Sequence, residues 1–207
     1  MGSKRRVLIV DDHAILRMGL SSLINATGDC TVIGEAADGE EGVAKALQLR
    51  PDVVVMDLMM PRLSGVEATR RLHEELPSSR ILILTTYGTS DVIARALESG
   101  AAGAVMKNCE FGEIIKAVQT IAAGGTFISP DVNRLLKDDP PTAPLSGRQL
   151  DILKALVQGH SNPDIAHELG ISLDMVKEHT QALFQKIGAS NRTEAVAIAL
   201  RKHLLPA

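Results

Sequence analysis

The sequence predicts an α/β fold, a doubly wound sheet of five parallel strands, followed by a small all-α domain. In the first 130 residues, short aliphatic runs alternate with stretches whose apolar residues recur at helical spacing. Such runs, rich in β-branched residues, are typical of strands that are buried on both faces of a parallel sheet. After residue 144 only the helical spacing continues. The change of pattern therefore indicates two domains.

Each predicted strand precedes a predicted helix, and turn-forming residues such as Pro51, Pro77 and Gly100 separate the repeats. Five βα repeats favour the doubly wound arrangement. The predicted strands are 7–10, 31–37, 53–56, 81–84 and 103–106, and the predicted helices are 13–26, 39–49, 64–76, 89–99 and 110–123.

The segment between the two predicted domains shows neither the strand pattern nor the helical spacing. Residues 131–144 contain three prolines, and we expect an interdomain linker that is semi-rigid around Pro140 and Pro141. The expected domains are therefore 1–130 and 145–207. Four helices are predicted in the second domain, over 146–158, 162–169, 173–187 and 191–204.

Composition excludes several classes of function. The 207 residues carry 22 basic and 25 acidic side chains, which excludes a uniformly basic nucleic-acid coat. With no tryptophan and one tyrosine, the chain lacks the aromatic platforms on which single strands stack. Cys30 and Cys109 form no disulfide framework and no CxxC motif, and no apolar run approaches the roughly 18 residues of a membrane span. We therefore expect a cytoplasmic protein without a membrane partner.

Acidic residues follow the first and third predicted strands. Asp11 and Asp12 come after the first, and Asp57 comes after the third. Because ligands of open parallel sheets lie beyond the carboxyl ends of the strands, these carboxylates are expected to converge on one pocket. Neighbouring carboxylates repel one another unless a cation neutralises them, and oxygen ligands suit Mg²⁺.

The fourth and fifth strands are expected to bring a hydroxyl and an ammonium to the same edge, from Thr85 and Lys107. A cation, a carboxylate nucleophile, a hydroxyl and a lysine together suit phosphoryl transfer to an aspartate. Taken alone, Asp12 is better explained as a helix N-cap, and Lys107 as a solvated strand end. The presence of all five residues at successive strand ends favours the site.

The motifs around these residues resemble the receiver domains of two-component response regulators, over residues 5–124. They are Val-Asp-Asp at 10–12, Asp-Leu-Met-Met-Pro at 57–61 with Gly65, Leu-Thr at 84–85, and the segment 100–107. The resemblance implies a flavodoxin-like receiver in which Asp57 accepts a phosphoryl group from a sensor histidine kinase. It also implies that Mg²⁺ is held by Asp11, Asp12, Asp57 and the main-chain carbonyl of Met59. Thr85 would then bond a phosphoryl oxygen, and Lys107 would pair with the phosphate.

Two positions depart from the receiver pattern. Most relatives carry Tyr or Phe where this chain has Ala104, and many have proline where it has Asn108. In typical receivers the aromatic ring follows the strand-4 hydroxyl toward the phosphate, so Ala104 predicts another route for the signal. We expect that route to run through residues 86–90 and the fourth helix. Tyr87 either takes the place of the missing ring or simply covers apolar surface.

Residues 162–181 fit a helix-turn-helix. Ala166 is small where two helices would cross, Gly170 permits a left-handed turn, and Val176 would face inward six residues later. Ser172 is placed to cap the second helix. This spacing alone leaves an ordinary helical hairpin equally open.

Further motifs make residues 145–200 resemble the LuxR-type DNA-binding domain, and the whole chain is then similar to the NarL/FixJ class of transcription regulators. The motifs lie at 145–148, 159–162, 165–166, 169–172, 176–179, 186–188 and 191–195. The resemblance implies that helix 173–187 enters the major groove of double-stranded DNA. It also implies that the last helix supplies the contact of a homodimer.

The resemblance assigns roles to six residues of this domain. Those implied to face base edges are Lys177, Glu178 and Gln181, and those implied to lie nearer phosphates are His179, Lys186 and Arg192. The match is incomplete, because Met175 stands where relatives usually carry Thr. Residues 145–207 carry seven basic and six acidic side chains. Phosphates must therefore be neutralised by a few placed cations and helix N-termini.

The sequence is compatible with three functions. A phosphorylation-controlled, DNA-binding transcription regulator, which is not an enzyme, is favoured. A phosphatase with an aspartate nucleophile is the second possibility. Such enzymes carry an Asp-x-Asp motif after the first strand, whereas this chain has Asp-Asp-His at 11–13. A phosphorylation-independent regulator of the same fold is favoured by Ala104. It is disfavoured by the intact residues Asp12, Asp57, Thr85 and Lys107.

Overall fold

The structure is a computed structural model that describes residues 4–86 and 89–205. The chain divides into two compact units, Met1–Asp139 and Pro140–Ala207. Among the described residues, no helix is both long and apolar enough to cross a membrane.

The first unit is a parallel sheet covered by helices on both faces, which confirms the predicted fold class. Its strand order is β2-β1-β3-β4-β5-β6. The strands are β1 (Arg5–Val10), β2 (Cys30–Ala36), β3 (Val53–Met56), β4 (Arg80–Thr85), β5 (Gly103–Met106) and β6 (Phe127–Ile128). The helices of this unit are α1 (Ala14–Ala26), α2 (Gly39–Leu49), α3 (Gly65–Glu75), α4 (Ser90–Glu98), α5 (Phe111–Ala122) and α6 (Pro130–Asp138).

The sheet is buried on both faces because residues 7–10 of β1, all of β3 and residues 81–84 of β4 are apolar. Alternate side chains of each strand enter two separate cores, one against α2, α3, α4 and α6 and the other against α1 and α5. In the parallel register Val10 lies beside Met56, and Met56 lies beside Ile83. The carboxyl ends of β1, β3 and β4 therefore share one edge.

The structure differs from the sequence prediction at the end of the first unit. A sixth, two-residue strand pairs with β5, and α6 occupies most of the segment that was expected to be a linker. The Ser129 hydroxyl accepts a hydrogen bond from the main-chain N–H of Val132, and Pro130 suits the first helical turn. Val132 is fully buried. The expected linker is therefore wrong for residues 131–138.

Helix α6 is anchored at both of its ends, to β5 at its start and to α4 at its end. At its start, the N–H of Ser129 donates to the carbonyl of Ala104 on β5, at 3.0 Å. At its end, the Ser90 hydroxyl at the start of α4 donates to the Asp139 carboxylate, at 2.9 Å. Val132 packs in the same core cluster as Ala104. The small side chain on β5 thus lies under α6.

The second unit consists of helices packed around a core of its own. Its helices are α7 (Gly147–Val157), α8 (Asn162–Leu169), α9 (Leu173–Ile187) and α10 (Arg192–Arg201). Gly170 ends α8 in the left-handed region at φ 62°, and the Ser172 hydroxyl caps α9. Val176 is fully buried. The predicted helix-turn-helix is therefore formed by α8 and α9.

Candidate functional site

The structure brings together the carboxylates that follow β1 and β3. The N–H of Asp57 bonds the carbonyl of Val10 at 2.9 Å, which joins the ends of the two strands. Asp11 and Asp57 are buried, whereas Asp12 is exposed. Ligand atoms of Asp11, Asp12, His13 and Asp57 all lie within 4.8 Å of one another. Three carboxylates so close together require a neutralising charge.

Lys107 supplies part of that charge. Its Nζ lies 2.6 Å from Asp11 Oδ2 and 2.7 Å from Asp57 Oδ2, and its side chain is only 6% exposed. The main-chain N–H of Lys107 donates to the carbonyl of Thr85 at 2.8 Å, which fixes the lysine at the end of β5. The ammonium therefore bridges two buried carboxylates from two different strands.

The environment of Asp57 opposes ionisation. Burial raises the pKa of the Asp57 carboxyl above its ordinary value, while the hydrogen bond and the charge of Lys107 act in the opposite direction. The neighbouring Asp11 raises the Asp57 pKa further. The nucleophile that the sequence predicted is thus a buried carboxyl whose ionised form depends on the neighbouring cation.

Thr85 is the last residue of β4, and no other described residue forms a hydrogen bond with its hydroxyl. Its Oγ1 is buried and has no hydrogen-bond partner within residues 4–86 and 89–205. A buried donor without a partner is rare in folded proteins and indicates a group that an absent acceptor would satisfy. Tyr87, the proposed substitute for the missing ring, lies outside the described residues.

The loop after β3 turns back over the end of the strand. The N–H of Gly65 bonds the carbonyl of Leu58 at 3.0 Å. A Cβ on Gly65 would lie 2.0 Å from the carbonyl oxygen of Asp57, so only glycine fits this close approach. The N–H of Met59 contacts Asp57 Oδ1 at 3.4 Å. The proposed metal-binding role of the Met59 carbonyl stays a prediction.

Two residues of this edge were not singled out from the sequence. His13 Nδ1 lies 2.6 Å from Asp12 Oδ1 and 3.2 Å from Asp11 Oδ1. Arg17 donates to the main-chain carbonyl of Asp11 at 2.6 Å and pairs with Glu35 of β2 at 3.4 Å. The available signal for Arg17 was its position in the first helix predicted from the sequence, four residues after His13, which precedes α1.

The donor set fits a hard divalent cation. It consists of carboxylate oxygens that follow two neighbouring strands. The Asp12 side chain is 35% exposed, so its carboxylate can reach a partly hydrated ion. Mg²⁺ prefers oxygen ligands and keeps several waters. The residues present are therefore suited to Mg²⁺.

The second candidate site is the surface of α9. The three residues implied to read bases are all exposed on this helix; they are Lys177, Glu178 and Gln181. Their spacing of one and four residues places them on neighbouring faces. Lys177 Nζ lies 3.0 Å from Asp174 Oδ1 in an exposed ion pair, which is weak.

The residues implied to contact phosphates are arranged differently. Arg192 donates to the carbonyl of Leu156 at 3.0 Å, so its guanidinium is engaged inside the unit. The Lys186 ammonium lies 3.5 Å from Gln149 Oε1 at the start of α7, and His179 is half-buried. The three side chains therefore do not form one exposed cationic surface, and their phosphate contacts stay predictions.

Both units of the chain match known protein families. Residues 7–119 match the response regulator receiver domain, and residues 143–199 match the bacterial regulatory proteins of the luxR family. The chain is 36% identical to the transcriptional regulatory protein LiaR of Bacillus subtilis (strain 168), with 97% of this chain and 99% of LiaR covered.

Two solved structures extend this comparison. The response regulator ChrA of a heme-sensing two-component system is 36% identical, with a TM-score of 0.58 over 98% of this chain and 99% of ChrA. A complex of the response regulator RcsB with DNA reaches a TM-score of 0.69 over 96% of this chain and 99% of RcsB, at 23% identity, which shows the fold alone. The chain therefore belongs to the two-component response regulators of the NarL/FixJ class, DNA-binding transcription regulators in which a receiver domain precedes a LuxR-type helix-turn-helix domain.

Proposed function

We propose that this regulator is switched by Mg²⁺-dependent phosphorylation of Asp57 by a sensor histidine kinase, and that the phosphorylated form binds DNA as a dimer. The observation that carries the proposal is the pairing of Lys107 with Asp11 and Asp57 beside the unpartnered hydroxyl of Thr85. A nucleophile, a cation and a hydroxyl donor at one edge of a sheet are the groups that phosphoryl transfer needs.

The chemistry follows from the positions of these groups. An oxygen of Asp57 attacks the phosphorus of a phosphohistidine, the P–N bond breaks, and the imidazole leaves with its electron pair as an acyl phosphate forms on Asp57. Lys107 stays beside the new phosphate and exchanges its contact with a carboxylate oxygen for one with a phosphoryl oxygen. The Thr85 hydroxyl turns to donate to another phosphoryl oxygen. Asp11, Asp12, Asp57 and the Met59 carbonyl would hold Mg²⁺, which would supply the remaining charge neutralisation.

Helix α9 is proposed to read DNA from the major groove, as the second helix of a helix-turn-helix does. Lys177 and Gln181 would donate to base edges, and Glu178 would accept from a cytosine amine. The dimer contact is proposed to lie on α10, where Leu200 is a large apolar side chain that is 60% exposed.

The phosphorylation step is tested with acetyl phosphate and Mg²⁺, followed by the intact mass of the full chain. One phosphoryl adduct is expected on the parent, and none is expected on Asp57→Ala or on the parent in EDTA. Release of phosphate without an adduct would support the phosphatase alternative. An unmodified chain that nevertheless binds DNA would support the phosphorylation-independent alternative.

A further inference from the structure

An ion pair joins the loop after β3 to the start of α2. The Arg62 guanidinium in this loop contacts the carboxylate of Asp38, the residue that caps α2. The Asp38 side chain is 1% exposed, whereas that of Arg62 is 59% exposed. A carboxylate that is removed from water needs hydrogen bonds and a cation to compensate for its lost hydration. The N–H of Glu41 provides a hydrogen bond, at 2.9 Å, and Arg62 provides the cation.

The main chain at Arg62 is strained. Its φ of 65° lies in the left-handed region, which a residue with a Cβ seldom adopts. The N–H of Leu63 donates to the carbonyl of Pro61 at 2.9 Å, so the chain reverses tightly around Arg62. Glycine would adopt this conformation readily. An arginine at this position therefore indicates a role for its side chain.

Asp38 lies at the same edge of the sheet as the candidate site. It stands two residues beyond the end of β2, and the carbonyl of Ala36, the last residue of β2, accepts a hydrogen bond from the N–H of Asp11 at 3.1 Å. A Cβ on Gly39 would lie 2.2 Å from the carbonyl oxygen of Leu63, so the first turn of α2 directly contacts the loop after β3. The loop is thus tied to the segment that follows the strand beside Asp11.

The same loop carries the main-chain carbonyl that is proposed to bind Mg²⁺. Leu58 and Leu63 are buried and fix the two ends of the loop, and Met60 packs against the same core. Met59 is exposed, so its own side chain does not fix its peptide group. A metal ligand must be held to within about 0.5 Å of its productive position. The Met59 carbonyl therefore needs a further constraint, and the ion pair of Arg62 with Asp38 supplies one.

We propose that Arg62, held by Asp38, is a positioning residue for magnesium binding and phosphorylation, because it keeps the loop after β3 in the conformation that lets the Met59 carbonyl serve as a ligand. The proposal rests on the proposed function, since it assumes the magnesium site described there. It adds two residues that act through the loop and are not themselves ligands. Residues that orient ligands typically change metal affinity 10- to 100-fold when they are replaced.

The test is calorimetric titration of the unphosphorylated full chain with Mg²⁺. Arg62→Gly removes the ion pair and relieves the left-handed main chain, and Asp38→Asn removes the charge and keeps a side chain that caps helices well. Each variant is expected to raise the dissociation constant of Mg²⁺ about tenfold. Charge alone predicts opposite signs, because loss of a cation near acidic ligands tightens binding of Mg²⁺ and loss of an anion weakens it. A common direction therefore distinguishes positioning from simple electrostatics.

Arg50→Gly provides the matched control. Arg50 is exposed at the other end of α2 and is also left-handed, at φ 48°, so this variant loses the same charge and relieves the same strain. It is expected to bind Mg²⁺ as the parent does. Arg62→Lys keeps a cation and should bind more tightly than Arg62→Gly. The double variant of Arg62→Gly and Asp38→Asn should bind no more weakly than either single variant, because both changes break one contact.

A second readout is independent of the metal. Amide hydrogen exchange over residues 59–63 in EDTA should rise in Arg62→Gly and in Asp38→Asn, and should stay unchanged in Arg50→Gly. If Arg62→Gly binds Mg²⁺ as tightly as the parent or more tightly, the positioning role is overturned while the proposed function stands. A parent that neither binds Mg²⁺ nor forms an adduct overturns the proposed function, and the positioning role with it.

Discussion

Ser90, the first residue of α4, is hydrogen-bonded to Asp139, the residue that follows α6. The Ser90 side chain is fully buried, and its hydroxyl lies 2.9 Å from Asp139 Oδ2. Ser90 stands five residues after Thr85 in the chain, and Asp139 directly precedes Pro140. Because Ala104 on β5 has no ring to move, we predict that a displacement of Thr85 toward a phosphoryl group is passed to α6 through the start of α4.

Ser90→Ala is expected to loosen α6 at its C-terminal end. Loss of the hydrogen bond leaves the Asp139 side chain without this anchor, so amide hydrogen exchange over residues 133–138 should rise. Ser22→Ala, at an exposed position on α1, is the control and should leave this exchange unchanged. Phosphorylation of the parent should raise exchange in the same segment. Identical α6 exchange in the parent, in Ser90→Ala and in the phosphorylated chain would exclude this route.

Lys107→Met is expected to destabilise the Mg²⁺-free protein by about 3 kcal/mol, because it leaves Asp11 and Asp57 buried without their cation. Added Mg²⁺ should restore part of the loss, since it is proposed to bind the same carboxylates in the folded state only. The measurement is urea unfolding with Mg²⁺ and with EDTA. Lys116→Met, at an exposed position on α5, should unfold as the parent does. Equal unfolding free energies for the two variants would contradict the buried bridge.

Gly65→Ala is expected to destabilise the first unit by about 3 kcal/mol, because the added methyl group would meet the main chain of Asp57. Gly112 on α5 provides the matched control, since a Cβ there meets nothing within 4 Å. Gly112→Ala should be neutral or stabilising by about 0.5 kcal/mol. Thermal unfolding of both variants measures the difference. Similar melting temperatures for the two would show that the loop after β3 does not pack as described.

Cys109 is expected to react slowly with alkylating reagents. Burial, together with the nearby Glu113, raises the pKa of the Cys109 thiol to about 11 from an ordinary value of 9.0. The thiolate fraction at pH 8 is then about 100-fold below that of an unperturbed thiol, and alkylation should accelerate as the pH rises toward 11. Glu113→Gln should speed alkylation at pH 8. Iodoacetamide labelling that is as fast as that of a free thiol at this pH would refute the assigned environment.

The sequence was most informative where burial imposes a strong pattern. The aliphatic strands and the helices between them appear near their predicted bounds, because a sheet that is covered on both faces tolerates no polar alternation. Strand β6 was missed because two residues, Phe127 and Ile128, carry no periodicity. Helix α6 was missed because the prolines that follow it suggested a linker, whereas Val132 fixes the helix through tertiary packing.

In the candidate site, too, some features could be predicted from the sequence and others could not. Positions at strand ends, such as Asp57 and Lys107, follow from the order of the strands, so their proximity could be inferred from the sequence. The contact of Arg17 with the Asp11 carbonyl depends on a side-chain conformation that no pattern encodes. The inward direction of Arg192 likewise depends on the packing of α10 beside α7.

The most direct test of a phosphorylation switch is the affinity of the full chain for a selected duplex before and after treatment with acetyl phosphate and Mg²⁺. Phosphorylation is expected to tighten binding about 10-fold or more, the range of an allosteric coupling of about 1–3 kcal/mol. Asp57→Ala should show no change under the same treatment. Equal affinity of the phosphorylated and unphosphorylated parent, with the adduct confirmed by mass, would contradict control of DNA binding by Asp57.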